Sequence, residues 1–310
     1  MAQSEEDEFA AAEKLWSSGD AGTATQMHVD LTRHAQNPDL RLRSAIALLE
    51  RLNPAQHLDL ILKTCSIGIK MAETLGETET KACLLATRAR NLAILNGSLF
   101  SARKNLRIAP GWLGFSLESD EQKYKKLTAA IESNDKEIEK LICEAQKVKA
   151  DCATIGHILL SVGEISFQRY MNVKVECLRE LVPLPRFVRE KIRAYALDEN
   201  FWYAASARQV MRRLLKTCEY QHCKAAVCFI KAADEVNTAS AFYNLANHLR
   251  SANRFRQAKL YLEEAETIAK KCDNEMLLDR IPLLKERIRQ RNRNVPDYAG
   301  GDPGPNLRPN

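Results

Sequence analysis

The stretch Tyr243–Ala269, YNLANHLRSANRFRQAKLYLEEAETIA, decides how this chain is read. Its second half places Ala258, Leu262 and Ala265 at i, i+4 and i+7, on one face of a helix. Its first half, extended back by one residue, carries Phe242, Leu245, Ala246 and Leu249, and Phe255 stands just after the intervening turn. Alanine is small for a core position, and the smallness has a use. Two helices in a tight hairpin approach to about 8–10 Å, with the limit set by the side chains at the crossing. Alanine there lets a leucine or aromatic ring of the partner fill the groove. One such hairpin cannot bury both of its faces, so it calls for a neighbour, and stacked hairpins make a solenoid.

The alanine spacing recurs. Ala225, Phe229 and Ala232 repeat it one hairpin's length earlier, Ala102, Leu106 and Ala109 repeat it again, and Ala82, Ala86 and Ala89 give an all-alanine version. LWSSGDAGTATQMHVDL has the right kind of turn, but His28 stands where a bulky apolar residue belongs.

In this pattern the chain resembles the tetratricopeptide repeat. The eight residues Phe242, Leu245, Ala246, Leu249, Phe255, Ala258, Leu262 and Ala265 fall in register with it over residues 239–270, and the proline that often closes the unit is absent, with Lys270 near its place. Elsewhere the match decays. Trp202 and Tyr203 fit with Ala225, Phe229 and Ala232 only if the first helix is longer than usual. The resemblance implies an all-α fold, an α-solenoid or right-handed superhelix of antiparallel hairpins. It also implies a concave groove lined by the first helix of each pair, which points to Tyr243, Asn247 and Arg250. Arg208 and Arg212 from the preceding pair add charge to the same partner-binding surface.

Punctuation along the rest of the chain supports an all-helical reading. SSGD, Asn37-Pro38, Asn53-Pro54 and Gly76 mark helix ends, because proline suits a first helical turn and glycine a left-handed C-cap. Further breaks are expected at Asn96-Gly97, Pro110-Gly111, Gly163, Pro183, Pro185, Asp198 and Cys218–His222. GWLGFSLESD reads as a loop that packs Trp112 and Phe115 on the core. KYKKLTAAIESNDKEIEKLICEAQKVKADC reads as a hairpin or one long helix. The repeat domain is expected over residues 1–293. Its last helix, about 274–293, carries Met276, Leu277, Ile281, Leu284 and Ile288 on one side and KERIRQRNR on the other, as a capping helix should. Residues 294–310 lack periodicity and read as a disordered tail.

Composition excludes some classes. The 310 residues contain 12 glycines and 10 prolines, and strand-like alternation is scarce. The acidic N-terminus has no basic and apolar signal-peptide pattern, and no run of about 18 apolar residues suggests a membrane span. Nine scattered cysteines suit small-hydrophobe duty in a reducing compartment, so a cytoplasmic location is expected. The net charge of +6 is compatible with nucleic acid without implying it.

No phosphate-cradling glycine loop, HExxH, GxSxG or kinase signature occurs. CEYQHCKAAVC gathers Cys218, His222, Cys223 and Cys228, yet its spacing lacks paired zinc-ligand halves, and these thiols read as buried groups beside a turn. His57, His157 and His248 read as structural or surface histidines. No catalytic residue, metal or cofactor is expected. Basic clusters at Arg41/Arg43, Arg88/Arg90, Arg103–Arg107, Arg186–Arg193 and Arg208–Arg213 are either a groove for acidic groups or solvated helix faces. The expectation is a non-catalytic scaffold, adaptor or regulatory subunit holding another protein or an acidic peptide. The alternatives are a nucleic-acid-associated helical repeat using the arginines, and an all-helical metal protein or enzyme centred on Cys218–Cys228. The sequence names no partner, pathway or oligomeric state.

Overall fold

The computed structural model describes residues 4–104, 106, 118–179 and 205–292, and among these every regular element is an α-helix. In chain order they are α1 (Glu5–Ser17), α2 (Ala21–His34), α3 (Pro38–Arg51), α4 (Pro54–Leu75), α5 (Thr78–Lys104), α6 (Glu118–Gln146), α7 (Cys152–Arg179), α8 (Ala205–Lys231), α9 (Glu235–Ser251), α10 (Phe255–Lys271) and α11 (Glu275–Asn292). The Trp112 loop, the prolines at 183 and 185, the break at Asp198 and the tail over 294–310 lie outside the described residues.

Local chemistry accounts for most of the ends. Ser4 and Asp7 form a capping box at the start of α1. Asp20, Asn37, Asn53 and Asp234 each accept a hydrogen bond from a first-turn amide, and Pro38 and Pro54 occupy the first turns where no donor is needed. Gly76 ends α4 at φ 72, the left-handed conformation glycine enters freely.

Three expected breaks are absent. α5 runs through Asn96-Gly97. Asn96 is buried and, instead of capping, donates to the Ile131 carbonyl and Asp135 of α6 and accepts from Asn134. α8 runs through Cys218–His222 without a turn. α7 runs through Gly163, where glycine serves closeness. A Cβ at Gly163 would lie 2.4 Å from Nδ1 of His222, and one at Gly156 would lie 2.6 Å from the Phe229 ring. The step from Gly156 to Gly163 on α7 equals the step from His222 to Phe229 on α8, taken in the opposite order. The pair therefore crosses antiparallel with two bulky rings seated in glycine hollows. α6 is one long helix, and in α11 Met276 faces solvent while Leu277, Ile281, Leu284 and Ile288 are buried.

The turns after α8, α9 and α10 share one geometry. Ala233, Asn253 and Asp273 have φ of 53°, 62° and 48°, and they stand at equal intervals along the chain. In each, the next amide reaches back to a carbonyl one helical turn and more earlier: Asp234 to Phe229 at 2.9 Å, Arg254 to Leu249 at 2.8 Å, Asn274 to Ala269 at 2.9 Å. This closes the orphan carbonyls of the helix end in the Schellman manner.

Among the described residues, every helix pair in substantial contact is adjacent or next-but-one in the order given. α5 touches α4, α6 and α7, and α9 touches both α10 and α11. The core follows suit as a succession of clusters. Val29, Leu48 and Ile61 belong to the first helices, Ala82, Ala86, Ala89 and Ile138 to the middle, and Leu245, Leu249, Ala258, Leu262 and Ile281 to the last. Helices packed on their chain neighbours are compatible with a helical repeat.

Candidate functional site

The α9–α10 hairpin carries the residues singled out by the repeat pattern. Leu245, Ala246, Leu249, Ala258, Leu262 and Ala265 are at most 1 % exposed, so the small-and-large alternation is core packing. Tyr243, Asn247 and Arg250 lie together on the other side of α9, all half-buried. The guanidinium of Arg250 donates to the Asn247 side-chain oxygen at 3.3 Å and to the Ser251 hydroxyl at 3.2 Å. Tyr243 packs its ring on the α7–α11 core. Lys174 of α7 donates to the Ser251 carbonyl at 3.1 Å, tying α7 to the end of this face. Arg212 is exposed on α8, and the side chain of Arg208 lies outside the described residues.

Among the described residues several arginines tie helices together, while Arg212 and Arg213 are exposed and Arg186–Arg193 lie outside the described residues. Arg41 donates to the Thr32 carbonyl, Arg43 reaches Glu6 of α1, and Arg51 makes two 2.8 Å hydrogen bonds to Glu13. Arg88 of α5 joins Glu137 of α6, the Leu62 carbonyl and the Ser66 hydroxyl of α4. Arg103 lies over the rings of Phe100 and Tyr124. Arg169 of α7 reaches Asp135 and Glu139 of α6.

A second constellation lies inside the protein and was not expected from the sequence. Glu164 of α7, His222 of α8 and His248 of α9 each aim a polar atom at one place, with all three atoms within 4.8 Å of one another. Nε2 of His222 is 3.5 Å from one carboxylate oxygen of Glu164, and Nε2 of His248 is 3.0 Å from the other. Nδ1 of His222 lies 2.8 Å from the Cys218 carbonyl, one helical turn back, to which its N–H donates. The His248 ring stacks on Phe167 with centroids 3.9 Å apart and meets the His222 ring edge-on at 5.2 Å.

Burial pushes the Glu164 carboxyl up, but the imidazoles of His248 and His222 outweigh it and hold the group well below the usual carboxylate range. Burial pushes the neighbouring Cys218 thiol far upward, with Glu164 and Glu219 adding to the effect, so it stays protonated and unreactive. Cys65 is likewise pushed up to about 12 by burial. Cys218 thus behaves as a small apolar group, and burial pushes the Cys223 thiol up as well. His222 and His248 are the members of this region with chemistry to offer. The matched spacing of Gly156 and Gly163 with His222 and Phe229 was the sequence signal that α7 and α8 meet here.

No helix among the described residues is long and apolar enough to cross a membrane. Compared with known protein families and with curated proteins, the chain matches no family model and no curated sequence significantly.

Proposed function

We propose that this chain is a non-catalytic, tetratricopeptide-like helical repeat, an α-solenoid that holds an extended segment of another protein. The observation that carries the reading is the recurrence of one turn geometry at even intervals around helices that pack on their chain neighbours. Such an arrangement leaves one side of each successive hairpin open to a ligand. On α9 that side carries Tyr243, Asn247 and Arg250, an aromatic surface beside an amide and a guanidinium. These groups suit an extended acidic peptide: the guanidinium pairs with carboxylates and the amide with backbone. The ties made by Arg41, Arg43, Arg51 and Arg88 speak against a free electropositive track along the N-terminal helices.

The test is capture of partners by the tagged chain from native lysate, with and without nuclease, followed by mass spectrometry. A discrete protein retained after nuclease, and lost with both Arg250→Glu and Tyr243→Ala in variants of unchanged helicity, supports the reading. Capture that collapses on nuclease treatment, or falls steeply with salt, overturns it in favour of a nucleic-acid backbone.

A further inference from the structure

We propose that Glu164, His222 and His248 form a binding site for one divalent transition-metal ion of the zinc class, which ties α7, α8 and α9 together. The site is separate from the outer face of α9 and does not depend on what that face binds.

The geometry fits a metal, with three donor atoms from three helices converging. Metal–nitrogen and metal–oxygen bonds of about 2.0–2.2 Å in a tetrahedral shell place neighbouring donor atoms about 3.3 Å apart. The two nitrogen–oxygen separations, 3.5 Å and 3.0 Å, are of that size, each imidazole facing its own oxygen of the one carboxylate. The first is long for a hydrogen bond, and the second is a close contact between a buried imidazole nitrogen and the other carboxylate oxygen.

The surroundings prepare the ligands. Donation from Nδ1 of His222 to the Cys218 carbonyl fixes the tautomer in which Nε2 carries the free lone pair, and this is the usual outer support of a metal-bound histidine. The stack on Phe167 fixes the His248 ring plane. Gly163 makes room for the His222 ring, which any larger residue would displace. Cys218 lies on the far side of that ring, with Sγ 3.6 Å from Nδ1, and its sulfur is not among the converging donor atoms.

The donor set selects the ion. Calcium and magnesium ask for six or more oxygens. Two imidazoles and one carboxylate suit zinc, iron, nickel or copper. One carboxylate and two neutral imidazoles leave a divalent ion a single net positive charge, and at least one coordination position remains for water.

The test uses the full chain, stripped with chelator and refilled with Zn²⁺ or Co²⁺ alone. One ion per chain is expected, with a rise in melting temperature on adding Zn²⁺. Glu164→Gln and His248→Gln are each expected to weaken Zn²⁺ binding at least tenfold and to abolish the rise. If a variant fails to fold, the Co²⁺ form of the unaltered chain decides. Visible d–d bands without a thiolate charge-transfer band support nitrogen and oxygen ligation. A thiolate band places the ion on cysteines and overturns the proposal. So does stoichiometric binding that survives both substitutions. Absence of binding, with no change in melting, leaves a carboxylate–imidazolium cluster held by a proton and also overturns it.

Discussion

His28 fills the place where the repeat pattern wants a bulky apolar side chain, and it fills it as a ring. It is fully buried, stacks on Trp16 with centroids 4.7 Å apart and takes Phe9 edge-on at 5.2 Å. Burial lowers its pKa. Glu13, 3.1 Å away, pulls the other way, while Arg51, which Glu13 also binds, adds to the lowering. The folded chain therefore keeps this imidazole neutral, whereas the unfolded chain takes up its proton near pH 6.5. The contribution to stability is complete above that pH and is lost as the pH falls below it, because the unfolded state then binds more protons. In a chain with tryptophan only at position 16 (Trp112→Phe, Trp202→Phe), the emission of Trp16 is expected to shift red between about pH 6.5 and 5. The same scan with His28→Phe is expected to be flat, and a shift there would remove histidine as the cause. Single positions of this kind were half legible in the sequence. The mismatch at His28 was visible, but its rings were not, since Phe9 and Trp16 lie on the preceding helix. Glu164, His222 and His248 were less legible still: they stand on three different helices, far apart in the sequence, and only the α7–α8–α9 packing brings them together.

At the scale of the element, starts were easier to read than stops. Asn37, Asn53 and Gly76 act locally, so the sequence alone places them. Asn96, Gly97 and Gly163 carry the same local signals, yet their helices continue, because tertiary contacts claim these residues for other uses. The difference is measurable. Gly156→Ala and Gly163→Ala are each expected to destabilise by about 1–3 kcal/mol, the usual penalty for overpacking, since each new methyl meets a ring. Gly97→Ala meets nothing closer than 3.5 Å inside α5 and is expected to stabilise by about 0.5–1 kcal/mol, the helix-interior difference between the two residues. Chemical denaturation of the three variants checks both signs, and a stabilised Gly163→Ala would disprove the close crossing of α7 and α8.

For the whole molecule, the alanine pattern held in part: Ala82, Ala86, Ala89, Ala225 and Phe229 are buried, whereas Ala102 is exposed near the end of α5, Leu106 lies beyond that helix, and Ala232 is exposed in the turn after α8. The step from Ala225 to Ala258 is shorter than the step between the turns that end α8 and α10, at Ala233 and Asp273. The shortfall is about two helical turns, so the two alanine sets sit out of step along their helices. Ala225 and Phe229 still share the face of Ala258 and Leu262 because a shift of two turns preserves it, but the shift carries Ala232 past the end of α8 into the turn. All-helical architecture was legible from composition and caps, whereas the true step needed the turns. Packing confined to chain neighbours has an energetic consequence. Ile281→Ala, which empties a buried position in α11, is expected to cost about 2–5 kcal/mol locally. Hydrogen exchange should then lose protection in α9–α11 while α1–α3 keep theirs. Equal loss throughout would show one cooperative core.

The evenly spaced turns at Ala233, Asn253 and Asp273 also describe how this end of the chain would respond to load. Each helix between them is held by the one before and the one after, so a pull on the C-terminus meets a series of equal latches. A hairpin that lets go releases on the order of 100 Å of extended chain, at roughly 3.3–3.6 Å for each residue freed. The next turn then takes the strain. Tension would be shed in steps, and the N-terminal helices would keep their shape until their own turn came.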